Sequence, residues 1–135
     1  QLADLALDTF PCNGHTTTSD MLWAGLPVLA KRGQHFASRV SESLLNAIGL
    51  PELIAETDDD FVKLGITLAR NPDRIATLRA HLAEQRFRAP LFDSERFCRH
   101  LESAFETMAS RARNGEEPDH FDVTALPSRD GPFTA

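Results

Sequence analysis

The chain has little of what marks several protein classes. It holds 2 cysteines, Cys12 and Cys98. That is too few for a disulfide framework, so free thiols in a cytosolic setting are the expectation. Basic residues are in the minority: 14 Lys and Arg stand against 20 Asp and Glu, for a formal net charge of −6. A nucleic-acid partner is therefore disfavoured, because binding to a phosphate backbone needs a basic face. No apolar run approaches the roughly 20 residues of a membrane span. No secretory pattern is visible at the start, where Gln1-Leu2 is followed by Asp4 and Asp8. A cut within a longer protein is expected there. His15, His35, His81, His100 and His120 are scattered, and none forms a zinc spacing with cysteine. No internal repeat is present.

What is present suffices for a core. Of 135 residues, 41% are hydrophobic, which predicts one domain or part of one. Leu2 to Leu7 reads as a buried strand, and Thr16 to Ala24 as a helix closed by Gly25. Leu26-Pro27-Val28-Leu29-Ala30 reads as a second strand, with Pro27 at its beginning where a missing N–H is tolerated. Lys31 to His35 is a polar loop. Phe36 to Ile48 reads as one helix, with Phe36, Val40, Leu44 and Ala47 at helical spacing and Gly49 as its stop. Leu53 and Ile54 are a candidate third strand. Thr57 or Asp58 can cap the next helix, whose acidic start (Asp58, Asp59, Asp60) suits the helix dipole better than a metal. Pro72 restarts the helical pattern, and Ile75, Leu78 and Leu82 mark its apolar face. A last helix is predicted to about Arg113, with Phe97, Leu101, Phe105 and Met108 as a core-facing stripe. Asn114-Gly115 ends it, and the remainder reads as tail.

Helices between short apolar strands imply a parallel sheet. Three strands make a poor free-standing doubly wound sheet. The simplest resolution is the C-terminal half of a larger nucleotide-binding α/β domain, with ligands outside the carboxyl ends of the strands. The loop Asp8-Thr9-Phe10-Pro11-Cys12-Asn13-Gly14-His15 sits at such an end and runs into Thr16-Thr17-Thr18-Ser19-Asp20. A helix start leaves its first N–H groups without partners and carries partial positive charge. Gly14 allows close approach to the backbone, and the hydroxyls add donors. The combination suits a phosphate. Asp20, about one turn further in, could take a sugar hydroxyl. The plainer alternative stays open: Ser and Thr before a helix are ordinary caps, and Asp20 could simply complement the dipole.

The same residues carry a family resemblance. Asp8-Thr9 … Asn13-Gly14-His15-Thr16-Thr17 … Asp20, followed by Leu22-Trp23-Ala24-Gly25-Leu26-Pro27-Val28, resembles the nucleotide-sugar motif of the O-linked N-acetylglucosamine transferases. The likeness continues in Phe36-Ala37-Ser38-Arg39-Val40, Ile48-Gly49-Leu50-Pro51-Glu52-Leu53-Ile54, Pro90-Leu91-Phe92-Asp93 and Asn114-Gly115 … Pro118-Asp119-His120. It covers roughly Leu2 to His120. It implies a GT-B glycosyltransferase with two Rossmann-like lobes, inverting and metal-independent, that moves N-acetylglucosamine from UDP-GlcNAc to Ser or Thr hydroxyls. Tetratricopeptide repeats usually precede such enzymes and recruit acceptor proteins. The chain would be the later part of the donor-binding lobe: residues 1–56 within the Rossmann-like part, 57–113 its helical continuation, 114–135 a tail. It would pack on the other, N-terminal catalytic lobe. By similarity, Thr16 and Thr17 would hold the diphosphate, His15 would lie at the phosphate–sugar junction, Asp20 would accept from the ribose, and Cys12 would sit near the N-acetyl pocket. No cofactor and no metal are implied.

The resemblance also has limits. The family's uracil-contacting residues, its phosphate-binding Lys and its base candidates lie outside this stretch, so no catalytic residue is assigned. Gln34 stands where a Glu is associated with animal members. A SPINDLY-like O-fucosyltransferase using GDP-fucose is the enzyme alternative. Thr18 is shared with that group, while His15 and Asp20 argue against it. A non-catalytic scaffold of the same fold is the other alternative. Among single residues, Cys98 and Trp23 are expected in packing, Lys31 and Arg32 in a solvated loop, Arg39 in a pair with Glu42, and Arg86 and Arg88 at the surface.

Overall fold

The computed structural model describes residues 2–127 and 131–133. Gln1 and, within the expected tail, residues 128–130, 134 and 135 lie outside the described residues. Three parallel strands, β1 (Ala6–Leu7), β2 (Val28–Lys31) and β3 (Ile54–Ala55), stand in the order β1-β2-β3. Ala6 is in register with Val28, and Ala30 with Ile54. The helices are α1 (Thr16–Trp23), α2 (Val40–Ala47), α3 (Asp58–Ala69), α4 (Pro72–Gln85) and α5 (Ser94–Arg113). Because all strands run the same way, the segments that follow them leave from one edge of the sheet. The loop 8–15 follows β1 there, and Arg32–His35 follows β2.

β2 is the central strand. Val28, Leu29 and Ala30 are fully buried, as a continuous apolar run in a parallel sheet should be. Leu22 of α1, Leu45 of α2, Leu53 before β3, and Leu68, Leu78 and Leu82 from α3 and α4 join the same core. Each fully buried leucine contributes about 1.5–3 kcal/mol. The predicted boundaries hold where local chemistry dictates them. Gly25 and Gly49 end their helices at φ +80° and +79°. Thr57 caps α3 by accepting from the Asp60 N–H at 3.1 Å, and Asn71 caps α4, with Pro72 in its first turn.

Several expectations fail. The strand read over Leu2 to Leu7 shrinks to Ala6–Leu7, and Leu2 and Leu7 are exposed. β1 is an outer strand, paired on one edge alone. The helix read over Phe36 to Ile48 is broken. A 3-10 turn over Phe36–Ser38 precedes α2, with Arg39 non-helical at φ −123° between them. The Gly33 N–H donates to the Ser38 carbonyl at 2.9 Å, and that closure leaves Phe36 projecting outward, 81% exposed. Trp23 is part-exposed rather than core. It lies edge-on to Phe87 and Phe92, with the Arg86 guanidinium 5.4 Å from its ring centre. Arg86 is thus half-buried, not a surface residue.

The largest correction is α5. Its stripe of Phe97, Leu101, Phe105 and Met108 faces outward, with Phe97 64% and Phe105 57% exposed, and Cys98 is exposed as well. The 20-residue helix is about 30 Å long and reaches the body mainly through the Pro90–Phe92 turn. Its other side is occupied by the tail. The Leu126 N–H donates to His100 Nε2 at 3.0 Å, Arg96 donates to the carbonyls of Leu126 and Pro127, and Arg111 stacks on Phe121. Periodicity marked an apolar face correctly; it could not say what that face meets.

Candidate functional site

The loop after β1 is a folded structure held by its own side chains. Asp8 is 8% exposed, and its Oδ1 accepts the Gly14 N–H at 2.8 Å. Thr9 donates to the Cys12 carbonyl at 2.6 Å. Asn13, also buried, ties the loop to the next segment: its N–H donates to the Ala37 carbonyl at 2.8 Å, and its Oδ1 accepts the Ser41 N–H at 3.4 Å. The loop therefore delivers the chain to α1 along a fixed path.

α1 begins without a side-chain cap. His15 occupies the cap position at φ −98°, ψ −82° and makes no capping hydrogen bond. The amides of the first turn cannot be satisfied within the helix, and they point out at the carboxyl edge of the sheet with the positive end of the helix dipole. The threonine run divides at this point. Thr16 and Thr17 are exposed. Thr18 is fully buried, its hydroxyl 3.2 Å from that of Ser41. Gly14 is obligatory for a related reason: a Cβ there would stand 2.6 Å from Thr18 Oγ1, closer than any relaxed contact allows.

The five residues singled out from the sequence fall into place unequally. Thr17 and Asp20 open onto one shallow groove of about 510 Å3, walled by Met21, Ala24 and Leu26. Thr16 shares the open helix start with Thr17. His15 turns away from that groove. Its ring meets Phe36 edge-on, with centroids 5.9 Å apart, and Phe36 in turn lines a second groove, of about 660 Å3, along α2. Cys12 is exposed in the loop, and its thiol contacts the Asn13 carbonyl at 3.6 Å. Two polar atoms beside the loop, His15 Nε2 and Asp8 Oδ2, are buried with no hydrogen-bond partner among the described residues. Buried polar atoms ordinarily have one.

The nearby cations are committed to carboxylates. Lys31 pairs with Asp58 and lies 4.5 Å over the Phe10 ring. Arg32 bridges Glu42 and Glu56 at 2.8 and 3.0 Å. The expected pair of Arg39 with Glu42 is formed at 3.4 Å. These part-exposed pairs contribute little to stability, but they neutralise the charges that could otherwise meet an anion. Among the described residues at this edge, the helix start has no side-chain cap that would compete for its amides. Among the described residues no group of three or more His, Cys, Asp or Glu is placed to hold a metal ion, and no helix is long and apolar enough to cross a membrane.

Asp8, Asn13 and Thr18 stand in the expected loop and helix start, but the bonds they make were not legible in the sequence, nor was the place of Ser41 and Phe36 in this arrangement. The Asp8–Gly14 bond spans six residues with no regular element between. Ser41 reaches Gly14 across 27 residues, and no local pattern encodes such a contact.

A parallel sheet with helices between its strands and an uncapped helix start at its carboxyl edge is part of a Rossmann-like α/β domain. The comparisons make the class specific. Residues 1–101 match the model of glycosyl transferase family 41, and the chain belongs to that family. It is 40% identical over 120 residues to the UDP-N-acetylglucosamine–peptide N-acetylglucosaminyltransferase of Caenorhabditis elegans, covering 89% of this chain and 10% of that protein. It is 40% identical over 117 residues to the probable UDP-N-acetylglucosamine–peptide N-acetylglucosaminyltransferase SPINDLY of Hordeum vulgare, covering 87% and 12%. For the corresponding SEC protein of Arabidopsis thaliana the identity is 37% over 123 residues, covering 90% and 13%. Its fold superposes on a lysine-to-methionine mutant of the Thermobaculum terrenum O-GlcNAc transferase with a TM-score of 0.77 and 34% identity, over 83% of this chain and 22% of that one. The expected fold, part of a GT-B lobe, is borne out. The chain spans 10% to 13% of the length of these curated relatives.

Proposed function

We propose that this chain is the later part of the donor-binding lobe of a protein O-GlcNAc transferase. The whole enzyme would move N-acetylglucosamine from UDP-GlcNAc to Ser or Thr hydroxyls of proteins, with inversion and without a metal. The observation that carries this is the uncapped start of α1, with Thr16 and Thr17 exposed beside it, in a chain of family 41.

The chemistry follows from those parts. As the sugar leaves, negative charge grows on the diphosphate. Fixed N–H groups, two hydroxyls and a helix dipole meet that charge without reorganising. Asp20 lies one turn further along the same groove as Thr17 and accepts from the ribose. His15, its ring edge-on to Phe36, lies at the phosphate–sugar junction. Cys12 lines the N-acetyl side. The base that activates the acceptor hydroxyl, the contacts to uracil and the acceptor-recruiting repeats belong to the rest of the protein. So does the lobe that covers the α5 stripe. The donor lobe itself would comprise residues 1–56 and 57–113, with 114–135 as its tail. A cytosolic setting is part of the same proposal, since exposed thiols at Cys12 and Cys98 stay free in a reducing compartment.

The test is isothermal titration of the full-length protein with UDP, UDP-GlcNAc and GDP. Binding of UDP without a response to GDP supports the proposal. Preference for GDP points to the fucosyl alternative, and no nucleotide binding points to a scaffold.

A further inference from the structure

We propose that Ser41 of α2 is a positioning residue for the diphosphate site, acting through Gly14 and Thr18. This rests on the donor-binding role of the α1 start proposed above. Ser41 is fully buried, in a helix whose inner face also carries Leu45. Alanine would fill that position without a polar group to satisfy. A buried hydroxyl costs free energy unless it is bonded, and here it bonds to the loop before α1 and to α1 itself. The Ser41 hydroxyl donates to the Gly14 carbonyl at 3.1 Å. Its proton being spent there, Thr18 is the donor in the second contact, at 3.2 Å. The Ser41 N–H donates to Asn13 Oδ1 at 3.4 Å. Three bonds from one residue thus converge on Asn13, Gly14 and Thr18, which bracket His15, Thr16 and Thr17.

The geometric consequence is direct. Successive residues on an α-helix turn by about 100°. Drawing Thr18 inward to Ser41 turns Thr17 and Thr16 outward, where both are exposed. Holding the Gly14 carbonyl from the other side fixes the peptide planes that lead into the first open amides. Without the Ser41 hydroxyl, Gly14 keeps an unpaired carbonyl, Thr18 loses its acceptor, and the first turn of α1 is free to fray.

The test uses the full-length protein, with UDP as the probe, at a temperature well below unfolding. Ser41→Ala should weaken UDP binding about five- to thirtyfold, as for one or two lost internal hydrogen bonds. Asn46→Ala, on the same helix, removes a bond to the Glu42 carbonyl that does not touch the loop. It should leave UDP affinity at the parent value even where it lowers Tm. Thr18→Ser keeps the hydroxyl and should bind near the parent value; Thr18→Val keeps the shape, lacks the hydroxyl and should behave like Ser41→Ala. Parent-like affinity in Ser41→Ala, or equal affinity in Thr18→Ser and Thr18→Val, overturns the assignment. The Thr18 pair decides alone if Ser41→Ala does not fold. A parent protein that ignores UDP removes the donor-binding role itself and this inference with it.

Discussion

Replacing Thr16 and Thr17 by Ala separates binding from stability more cleanly than any other change in this chain. Both side chains are exposed at the first turn of α1, and alanine is the better helix former. The folded state therefore loses almost nothing: a change in stability within the range of ordinary surface substitutions, about ±0.5 kcal/mol, is expected. Binding is another matter. A hydrogen bond to a charged group is worth about 1.5–3 kcal/mol, which is roughly 10- to 150-fold in affinity. Because the helix start is open to solvent, the lower end of that range is the expectation for each hydroxyl. The backbone amides and the helix dipole survive the substitution, so binding should weaken without vanishing. The assay is titration of UDP into the full-length double variant, with the uncharged nucleoside uridine as a control. Uridine lacks the diphosphate, and its weak binding should not change. Unchanged UDP affinity in a folded double variant would refute the phosphate role of this helix start.

Other expectations follow from the core, the stripe and the anion site. Leu45→Ala removes a fully buried side chain packed among α1, α2 and β2; thermal or urea unfolding should show a loss of about 2–5 kcal/mol. Phe105→Ser changes a side chain that is 57% exposed in this chain. If α5 packs on the rest of the enzyme, the full-length variant should lose about 1–3 kcal/mol of stability or shed activity, and an unchanged Tm and rate would mean that the stripe faces water. Chelation of divalent metals should leave transfer by the full-length enzyme intact, and a strict metal requirement would contradict the proposed chemistry.

How much was legible in the sequence depended on the range of the interaction. Helix ends at Gly25, Gly49 and Asn71-Pro72 are set by one or two residues, and they fell where expected. β2 was readable because its apolar run is bounded by Pro27 and Lys31. The helix start after Gly14 was readable because glycine, hydroxyls and carboxylate stand together. The break at Arg39 was not, since it depends on Gly33 meeting Ser38 across the turn. The burial of Thr18 could not be read locally because Ser41, its buried partner, lies 23 residues on. The α5 stripe misled for another reason. Periodicity reports that a face is apolar, and burial depends on a surface that the described residues do not supply.

The most direct measurement is a crystal structure of the full-length protein with UDP bound. The account predicts diphosphate oxygens about 2.7–3.2 Å from the hydroxyls and amides of Thr16 and Thr17, with a ribose hydroxyl donating to Asp20. A diphosphate bound elsewhere, with the start of α1 left to solvent, would contradict it.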